Sequence, residues 1–533
     1  MTPLDFRSWI VLVLFILAAI CINTPQSFPI PWTRRPYRIQ LNLVSGPVIA
    51  VILALATTAI SPAELWRGIA GSDDIEPYAI LVLLISLSWV CISLDMTGAL
   101  AMSALWVGKL GGTSGRRFYT VIYVLSFVYG VVTNVDVAVL TLTPIAIYFA
   151  EAMNLPPYAF LLGEFFASNI SSMIFFMGNL NNIIVAQAYG LTFVTYAAWM
   201  VLPALGAGLC SWAILMVQYR RDIPRQVVPP VVQPLSVLKE PRFAVTGTLL
   251  LLGMTVALAV SSLYHVSVWM VTLPFGVVGC IIDLLRDGVS LMKTYRARPP
   301  GVSEERRMGA PSVEEEGSST AIFPMTKTQK EGAQGKGEEI IFDDGPSGRI
   351  ERILAALTRR KKRAMSRFPV TSEVLVRLPY DVFPFSLGMF ILVEGLSAHG
   401  WTVRLAKVLA YCCPNPTVAA FTIGYISSLA SIPFNNIPMT ILFARALKMQ
   451  EFAGQVSGPT SKAAFFALAI GADLGANLVV HAGLSGLLWA TLSQAKGVRF
   501  VGWRFFRACI YSFPPTVAVA CGILAAEIAI MEG

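Results

Sequence analysis

The chain has 533 residues, of which 55% are hydrophobic and only 13% are charged. An ordinary soluble domain carries about 25% charged residues, so this composition excludes a soluble globular protein. The formal net charge of +9 is held in basic clusters between apolar segments, which indicates orientation in a membrane and not nucleic-acid binding.

Apolar runs of about 20 residues, long enough to cross a bilayer, recur along the whole chain. They predict membrane helices near 8–23, 40–60, 77–97, 193–219, 243–262, 266–285, 374–396 and 504–530. Two longer stretches, 118–187 and 416–494, are interrupted by Pro, Gly, Asn and Asp. Polar breaks at membrane depth must be buried in protein or line a cavity, so each interrupted stretch is a candidate site.

The segment 286–368 differs in composition, being rich in Glu, Lys, Gly, Ser and Pro and containing the basic run 359–363. It predicts a disordered cytosolic loop with a short amphipathic helix over 350–358. With this loop in the cytosol, most other basic clusters fall on the same side, and both termini lie outside the cytosol. The first apolar run has no typical cleavage site and is interpreted as a retained helix.

The crossing count also indicates an internal repeat. Residues 1–219 hold three helices, a broken stretch with one net crossing and one further helix, and residues 243–285 with 369–533 repeat this order after a cytosolic linker at 220–242. Five net crossings per half make the second half begin on the opposite side, which defines an inverted repeat. The similarity of residues 178–180 to residues 475–478 supports this arrangement.

Asparagines concentrate at the breaks of the two interrupted stretches. In transporters built from inverted repeats, the site lies near the midplane, where broken helices from the two halves meet. Asparagine tolerates unusual backbone angles, and its amide both donates and accepts hydrogen bonds. Simple capping of a helix end is the alternative for any one of these residues. The predicted substrate-binding residues are Asn134, Asn179, Asn181, Asn182, Asn435, Asn436 and Asn477.

Carboxyl groups within the apolar segments are candidates for proton coupling, because an ionised carboxylate there costs about 3 kcal/mol or more. Asp95 and Glu394 are considered as well, but a position at a helix end is the favoured interpretation of both. The proton-coupling candidates are Asp136 and Asp473, with Glu164 and His481 as weaker ones.

No motif in the sequence points to an enzyme. The three histidines, His265, His399 and His481, are widely separated, and the chain has no HExxH, GxSxG or P-loop pattern. The eight cysteines include no CxxC pair and lie mostly within apolar runs. We therefore predict no catalytic activity, no metal site and no cofactor.

Six short motifs follow one another along the chain: Val135–Pro144, Gly178–Val185, Tyr219–Pro224, Phe385–Met389, Asn435–Pro438 and Gly471–Gly475. Together they resemble the arsenical pump membrane proteins and the P-protein branch of the ion transporter superfamily, which has a citrate transporter-like domain. The resemblance implies a secondary transporter related in fold to the divalent-anion:sodium symporters. It also implies re-entrant hairpins at 118–150 and 416–450, and crossing helices at 158–187 and 463–495 that are broken within the membrane.

The predicted fold class is thus an all-α polytopic membrane protein, an inverted repeat of five transmembrane helices plus one re-entrant hairpin per half. The chain departs from the family pattern within the presumed site. Val135 replaces an Asn of the family, Asn169 stands where arsenite pumps carry an acidic residue, and residues 476–483 differ from the usual second break. These departures affect the substrate more than the fold.

The predicted function is proton-coupled export of arsenite or antimonite, because neutral As(OH)₃ suits a pocket of amide groups with few fixed charges. A transporter of a small anion, such as a carboxylate or chloride, is the alternative, and a passive channel or non-transporting scaffold is the third hypothesis. The expected partners are the lipid bilayer of a plasma or organelle membrane, protons and a small anion or metalloid, but no nucleic acid. A homodimer is compatible with the sequence, which neither indicates nor excludes an ATPase subunit.

Overall fold

The computed structural model describes residues 4–24, 26–29, 38–72, 75–228, 233–261, 263–264, 266–296, 367–498 and 502–532. Most of the loop predicted at 286–368, including its basic run and its short helix over 350–358, lies outside these residues. Two short strands, β1 (Gln26–Pro29) and β2 (Arg38–Leu41), pair antiparallel. The rest of the described regular structure is helical.

The helices of the first half precede residue 219, and two pairs of them, α4 with α5 and α6 with α7, are separated only by a two-residue break. In chain order they are α1 (Phe6–Asn23), α2 (Ser45–Ala56), α3 (Pro62–Ala70), α4 (Pro77–Met96), α5 (Ala99–Gly108), α6 (Gly115–Val132), α7 (Val135–Ala152), α8 (Tyr158–Ser172), α9 (Leu180–Ala188) and α10 (Phe193–Gln218). Short 3-10 turns cover Lys109–Gly111 and Phe176–Gly178.

The described helices of the second half follow a similar order after the 3-10 turn Pro234–Val237. They are α11 (Pro241–Ser261), α12 (Val268–Arg296), α13 (Pro369–Arg377), α14 (Val382–Ala398), α15 (Trp401–Cys412), α16 (Pro416–Phe434), α17 (Asn436–Lys448), α18 (Gln450–Ala453), α19 (Gly458–Gly475), α20 (Leu484–Ala495), α21 (Gly502–Cys509) and α22 (Phe513–Glu532). A 3-10 turn at Val480–Ala482 separates α19 from α20.

Within the described residues, nine helical segments are long and apolar enough to cross a membrane. A helix satisfies its own backbone hydrogen bonds, so such segments are stable in lipid when their side chains are apolar. The prediction of an all-α polytopic membrane protein is confirmed. The inverted relation of the two halves in the membrane stays a prediction.

Four predicted helices have other bounds in the structure, and the one predicted at 374–396 is divided into α13 and α14 at residues 378–381. The helix predicted at 504–530 is divided into α21 and α22 at residues 510–512, and the helix predicted at 40–60 is confined to α2. The helix predicted to end at 285 continues as α12 to Arg296, so residues 286–296 are not part of a disordered loop. Its charged residues near 286 suggested an end, but they are buried within the fold instead.

Residues 278–377, as far as they are described, form a compact unit of their own. Asp287 of α12 is buried and accepts hydrogen bonds from the backbone N–H groups of Val370 and Thr371, at 2.9 Å each. These groups belong to the first turn of α13, where helical N–H groups have no partner within the helix. The carboxylate therefore caps α13 from a neighbouring helix.

In the first half, α6 and α8 run parallel to each other. A Cβ at Gly163 would meet the ring of Tyr119, while one at Gly130 would meet Ser171. The N-terminal parts of the two helices therefore lie side by side, and so do their C-terminal parts. The intervening α7 must therefore run back, with the chain reversing at Thr133–Asn134. At the other end the Phe118 ring lies 5.2 Å from that of Phe149. Helices α6 and α7 thus form a hairpin, as predicted for 118–150.

The second half repeats this packing with α16, α17 and α19. Glycines of α19 lie against serines of α16: Gly471 contacts Ser427, and a Cβ at Gly475 would lie 2.9 Å from Ser431 Oγ. The order of these contacts again makes the outer two helices parallel, so α17 returns between them. The chain reverses here at Asn435, whose φ of 65° is unusual for a residue other than glycine.

Candidate functional site

The helices α8 and α19 each end before a non-helical break, after which α9 and α20 begin. The break in the first half covers residues 173–179 and contains the turn Phe176–Gly178. The break in the second half covers residues 476–483 and contains the turn Val480–Ala482. Each break leaves helix-terminal N–H and C=O groups without partners in their own helix. Both breaks occur close to the positions that the sequence predicted.

A hydrogen bond joins the two halves at these breaks. Asn179 Nδ2 donates to Asp473 Oδ1 at 2.7 Å, although the two residues are almost 300 positions apart in the chain. Asp473 is fully buried in the last turn of α19, and the amides of Asn181 and Asn182 also lie near its carboxylate. Its second oxygen, Oδ2, has no hydrogen-bond partner among the described residues. Four of the predicted site residues therefore form one cluster.

A second bond between the halves involves two residues that the sequence analysis did not assign to the site. Ser485 Oγ, in the first turn of α20, donates to Asn169 Oδ1 at 3.0 Å, and Asn169 Nδ2 donates to the backbone carbonyl of Phe165 at 3.0 Å. Because that carbonyl can only accept, the Asn169 amide has one possible orientation, and the Ser485 hydroxyl must be the donor. Asn169 lies 304 positions before Asp473, and Ser485 lies 304 positions after Asn181, which is the offset between the two breaks in the structure.

The asparagines at the two hairpin tips cap helices. Asn134 Oδ1 accepts from the Val137 N–H at 2.9 Å and so caps α7. Asn435 Oδ1 accepts from the Ile437 N–H at 3.3 Å, and its Nδ2 donates to the carbonyl of His481 at 3.0 Å. The capping alternative is therefore correct for the side-chain oxygens of both residues. Asn435 also ties the second hairpin tip to the second break.

A small cavity, about 20 Å³ in volume, lies where the hairpin tips and the breaks converge. Its apolar wall includes residues from α4 and α14. Its polar wall comes from both halves of the chain and consists of Asn134, Asp136, Asn179, Asn436 and Ser485. Asp136 and Asn436, whose proximity the sequence interpretation required, therefore line the same cavity. The Oδ1 atom of Asn436 is buried and has no partner among the residues that the structure describes.

Seven predicted site residues do not belong to this wall, among them Asn435 at the second hairpin tip. Glu164 is fully buried between helices, where Thr143 Oγ1 donates to its Oε2 at 3.2 Å and the Trp489 indole faces it. Asn477 is buried in the second break, and His481 meets the site through its backbone carbonyl. Asn181 and Asn182 form a layer behind the wall, together with Asp473. The proton-coupling and binding roles of all these residues stay predictions.

Asp95 and Glu394 both contact the returning arm of a hairpin. Asp95, one residue before the end of α4, accepts from Thr141 Oγ1 of α7 at 2.8 Å. Glu394 of α14 forms an ion pair with Arg445 of α17 at 3.0 Å, and its other oxygen is 2.9 Å from Arg67 Nε. Glu394 and Arg445 are buried, and Glu394 lies four residues before the end of α14, so both acidic residues are near helix ends, as favoured from the sequence. The pair connects the second hairpin to α14 and to the segment after α3.

Comparisons with known proteins agree with this architecture. The family model described as "Citrate transporter" matches residues 31–306, and that described as "Arsenical pump membrane protein" matches residues 352–525. The chain is 24% identical to an arsenical pump membrane protein of Escherichia coli strain K12, over 91% of this chain and 94% of that protein. It is also 24% identical to an uncharacterized transporter of Mycobacterium tuberculosis, over 80% of this chain and 81% of that protein.

The fold is similar to that of the YdaH transporter of Alcanivorax borkumensis, with a TM-score of 0.50. The match covers 98% of both chains at 13% sequence identity. At this level of identity the likeness concerns the helical transporter fold alone.

Proposed function

This chain belongs to the family of membrane transporters represented by the citrate transporter and arsenical pump models, and we propose that it exports arsenite or antimonite in exchange for protons. The chain is an integral, multi-pass membrane transporter of that family. The substrate and the coupling ion are the parts that we infer from the site. The arsenical pump relatives support this choice over most of their length.

The observation that carries the proposal is the direction of the hydrogen bonds around the cavity. Asn179 and Ser485 both line the cavity, and both use a donor to bind a residue behind the wall. Ser485 has therefore used its one donor and offers a solute an oxygen acceptor, and Asn179 offers its amide oxygen as an acceptor beside one remaining N–H. The buried Asn436 Oδ1, which has no partner among the described residues, adds a third acceptor. A solute that donates several hydrogen bonds suits this wall.

Arsenite and antimonite at neutral pH meet this requirement, because their trihydroxy forms are neutral and each carries three O–H donors. An anion, in contrast, presents acceptor oxygens or a bare charge to the side-chain acceptors of Asn179, Asn436 and Ser485. The cavity wall has no Lys or Arg among its described residues. A neutral hydroxyl donor therefore fits better than an anion that needs a fixed positive charge.

Asp136 supports exchange with protons, because it lines the cavity in the first turn of α7. An ionised carboxylate accepts hydrogen bonds, and a protonated one has an O–H that donates. A solute hydroxyl bound to ionised Asp136 is therefore held more weakly when the carboxylate takes up a proton, because the charge-assisted hydrogen bond is lost. Alternate occupancy by solute and proton is the requirement for antiport. Asp473 lies one layer behind and is connected to the wall through Asn179.

A small anion is the second candidate, and one observation favours it. The first turns of α7, α9, α17 and α20 contribute residues to the cavity wall, so four helix N-termini point toward one space. Helix N-termini carry partial positive charge and free N–H groups, which stabilise anions. We rank this candidate second because the side-chain acceptors at the same wall would repel an anion.

The test uses the full chain, purified and reconstituted in proteoliposomes with an imposed pH gradient. We expect arsenite to accumulate against its own gradient, and Asp136→Asn to abolish this accumulation. Asp222→Asn, a change in an exposed carboxyl group, is the matched control and should leave transport unchanged. Accumulation of citrate or chloride without arsenite would overturn the proposal in favour of the anion. Leakage down a gradient alone would indicate a passive channel.

A further inference from the structure

The two breaks correspond to each other residue by residue. The turn Phe176–Gly178 and the helix α9 match the turn Val480–Ala482 and the helix α20 at a constant offset of 304 positions, counted from their first residues. This offset relates Asn169 to Asp473, and Asn181 to Ser485. The structure therefore contains two equivalent places, one at the end of α8 and one at the end of α19.

The contacts at these two places are also equivalent. At the first place, the buried Asp473 carboxylate receives the Asn179 amide and lies near Asn181. At the second place, the buried Asn169 amide receives the Ser485 hydroxyl. In each case the donor comes from the opposite half and lines the cavity; Asn179 is the last residue of the first break, and Ser485 lies in the first turn of the helix after the second break. The chemical difference is that one place has a carboxylate and the other has a neutral amide.

We propose that Asn169 and Ser485 form the neutral counterpart of Asp473 and Asn181, and that Ser485 contacts the transported solute as a hydrogen-bond acceptor. In this arrangement Asn169 is a positioning residue, because it holds the Ser485 hydroxyl proton away from the cavity. The inference rests on the proposed function and deepens it. It assigns one hydroxyl of the solute to Ser485 and explains the selection of a neutral hydroxyl donor on this side of the cavity.

The orientation of the Asn169 amide determines where the hydroxyl proton of Ser485 points. Its Nδ2 is bound to the Phe165 carbonyl, which has no donor, so its Oδ1 faces Ser485. Without Asn169 the hydroxyl of Ser485 can rotate and donate into the cavity. That rotation would add a donor where the solute needs an acceptor. An Asp at position 169 would keep an acceptor oxygen in reach of the hydroxyl.

The experiment measures the KM and maximal rate of arsenite transport in proteoliposomes containing the full chain. We expect Ser485→Ala to raise the KM about threefold to tenfold, since a typical hydrogen bond contributes about 0.5–1.5 kcal/mol. We expect Asn169→Ala to have a similar effect, and Asn169→Asp to restore the KM at least in part. The matched control is Ser493→Ala, which removes a buried hydroxyl from the same helix two turns away from the cavity.

The outcomes separate this inference from the proposed function. A wild-type chain that transports arsenite, with the KM raised in Ser485→Ala and unchanged in Ser493→Ala, supports both. A wild-type chain that transports arsenite, with Ser485→Ala and Asn169→Ala indistinguishable from the control, overturns the inference and leaves the function intact. A wild-type chain that transports no arsenite overturns both. Recovery by Asn169→Asp distinguishes positioning of the hydroxyl from loss of packing.

Discussion

The ion pair between Glu394 and Arg445 provides a sensitive test of the packing around the second hairpin. Glu394 contacts two guanidinium groups, Arg445 at 3.0 Å and Arg67 at 2.9 Å, and it also accepts from Ser72 Oγ at 2.9 Å. The exposures of the two arginine side chains differ greatly, 5% for Arg445 and 49% for Arg67. Replacing Glu394 by Gln should therefore affect Arg445 far more than Arg67.

The expected loss in the free energy of unfolding depends on how deeply each charged partner is buried. Breaking a buried ion pair by removing one charge costs about 3–5 kcal/mol, because the remaining charge is left buried without compensation. An exposed pair contributes about 0–1 kcal/mol, so Arg67→Gln should have a small effect. Arg445→Gln should fall between the two, because Glu394 keeps its bonds to Arg67 and Ser72. The double variant Glu394→Gln with Arg445→Gln should be more stable than Glu394→Gln alone, since no buried charge is left unpaired.

The assay is the midpoint of thermal unfolding of the purified chain in detergent, measured at one heating rate for all variants. We expect the decrease in Tm for Glu394→Gln to be at least three times that for Arg67→Gln. We also expect the double variant to recover part of that decrease. Equal decreases for the two single variants, or additive losses in the double variant, would refute the assignment of a buried and coupled pair.

Two further predictions concern α19. Asp473→Asn alone should abolish pH-driven arsenite accumulation. The double variant Asp473→Asn with Asn169→Asp moves the carboxylate to the equivalent place in the first half and should restore it. A double variant as inactive as the single one would contradict the equivalence of the two places. Gly471→Ala should lower the Tm and the expression level, because its Cβ would collide with Ser427. Gly458→Ala, in the open first turn of the same helix, is the control and should be neutral or slightly stabilising, and equal effects of both changes would contradict the close packing.

The sequence predicted the membrane class and most of the helices because length and apolarity alone determine whether a segment is stable in lipid. It also predicted that Asp136 and Asn436 would share a cavity. That prediction depended on the resemblance to a transporter family, since nothing local in either half specifies contact across the repeat. The boundaries were less accurate where polar residues are buried, as at Asp287, whose carboxylate caps a helix from another part of the chain.

The residues missing from the prediction share one property. Ser485 and Arg445 belong to residue types that are common on helices, and neither occurs in a distinctive motif. Their importance comes from partners far away in the chain, Asn169 and Glu394, and from the direction in which each side chain points. A single sequence contains neither piece of information. The offset of 304 positions between the two breaks relates Ser485 to Asn181, but Arg445 has no comparable relation to a predicted site residue.

The contact of glycines on α19 with serines on α16 has a mechanical consequence. The backbones approach so closely that no space remains for even a methyl group between them. Two helices packed in this way cannot slide or rotate independently, so they must move together. The hairpin tip at Asn435 and the acidic residue Asp473 lie near the same end of this helix pair. Under the proposed function, a movement that displaces the hairpin tip would also displace Asp473, and this would link the solute and proton steps without any further connecting element.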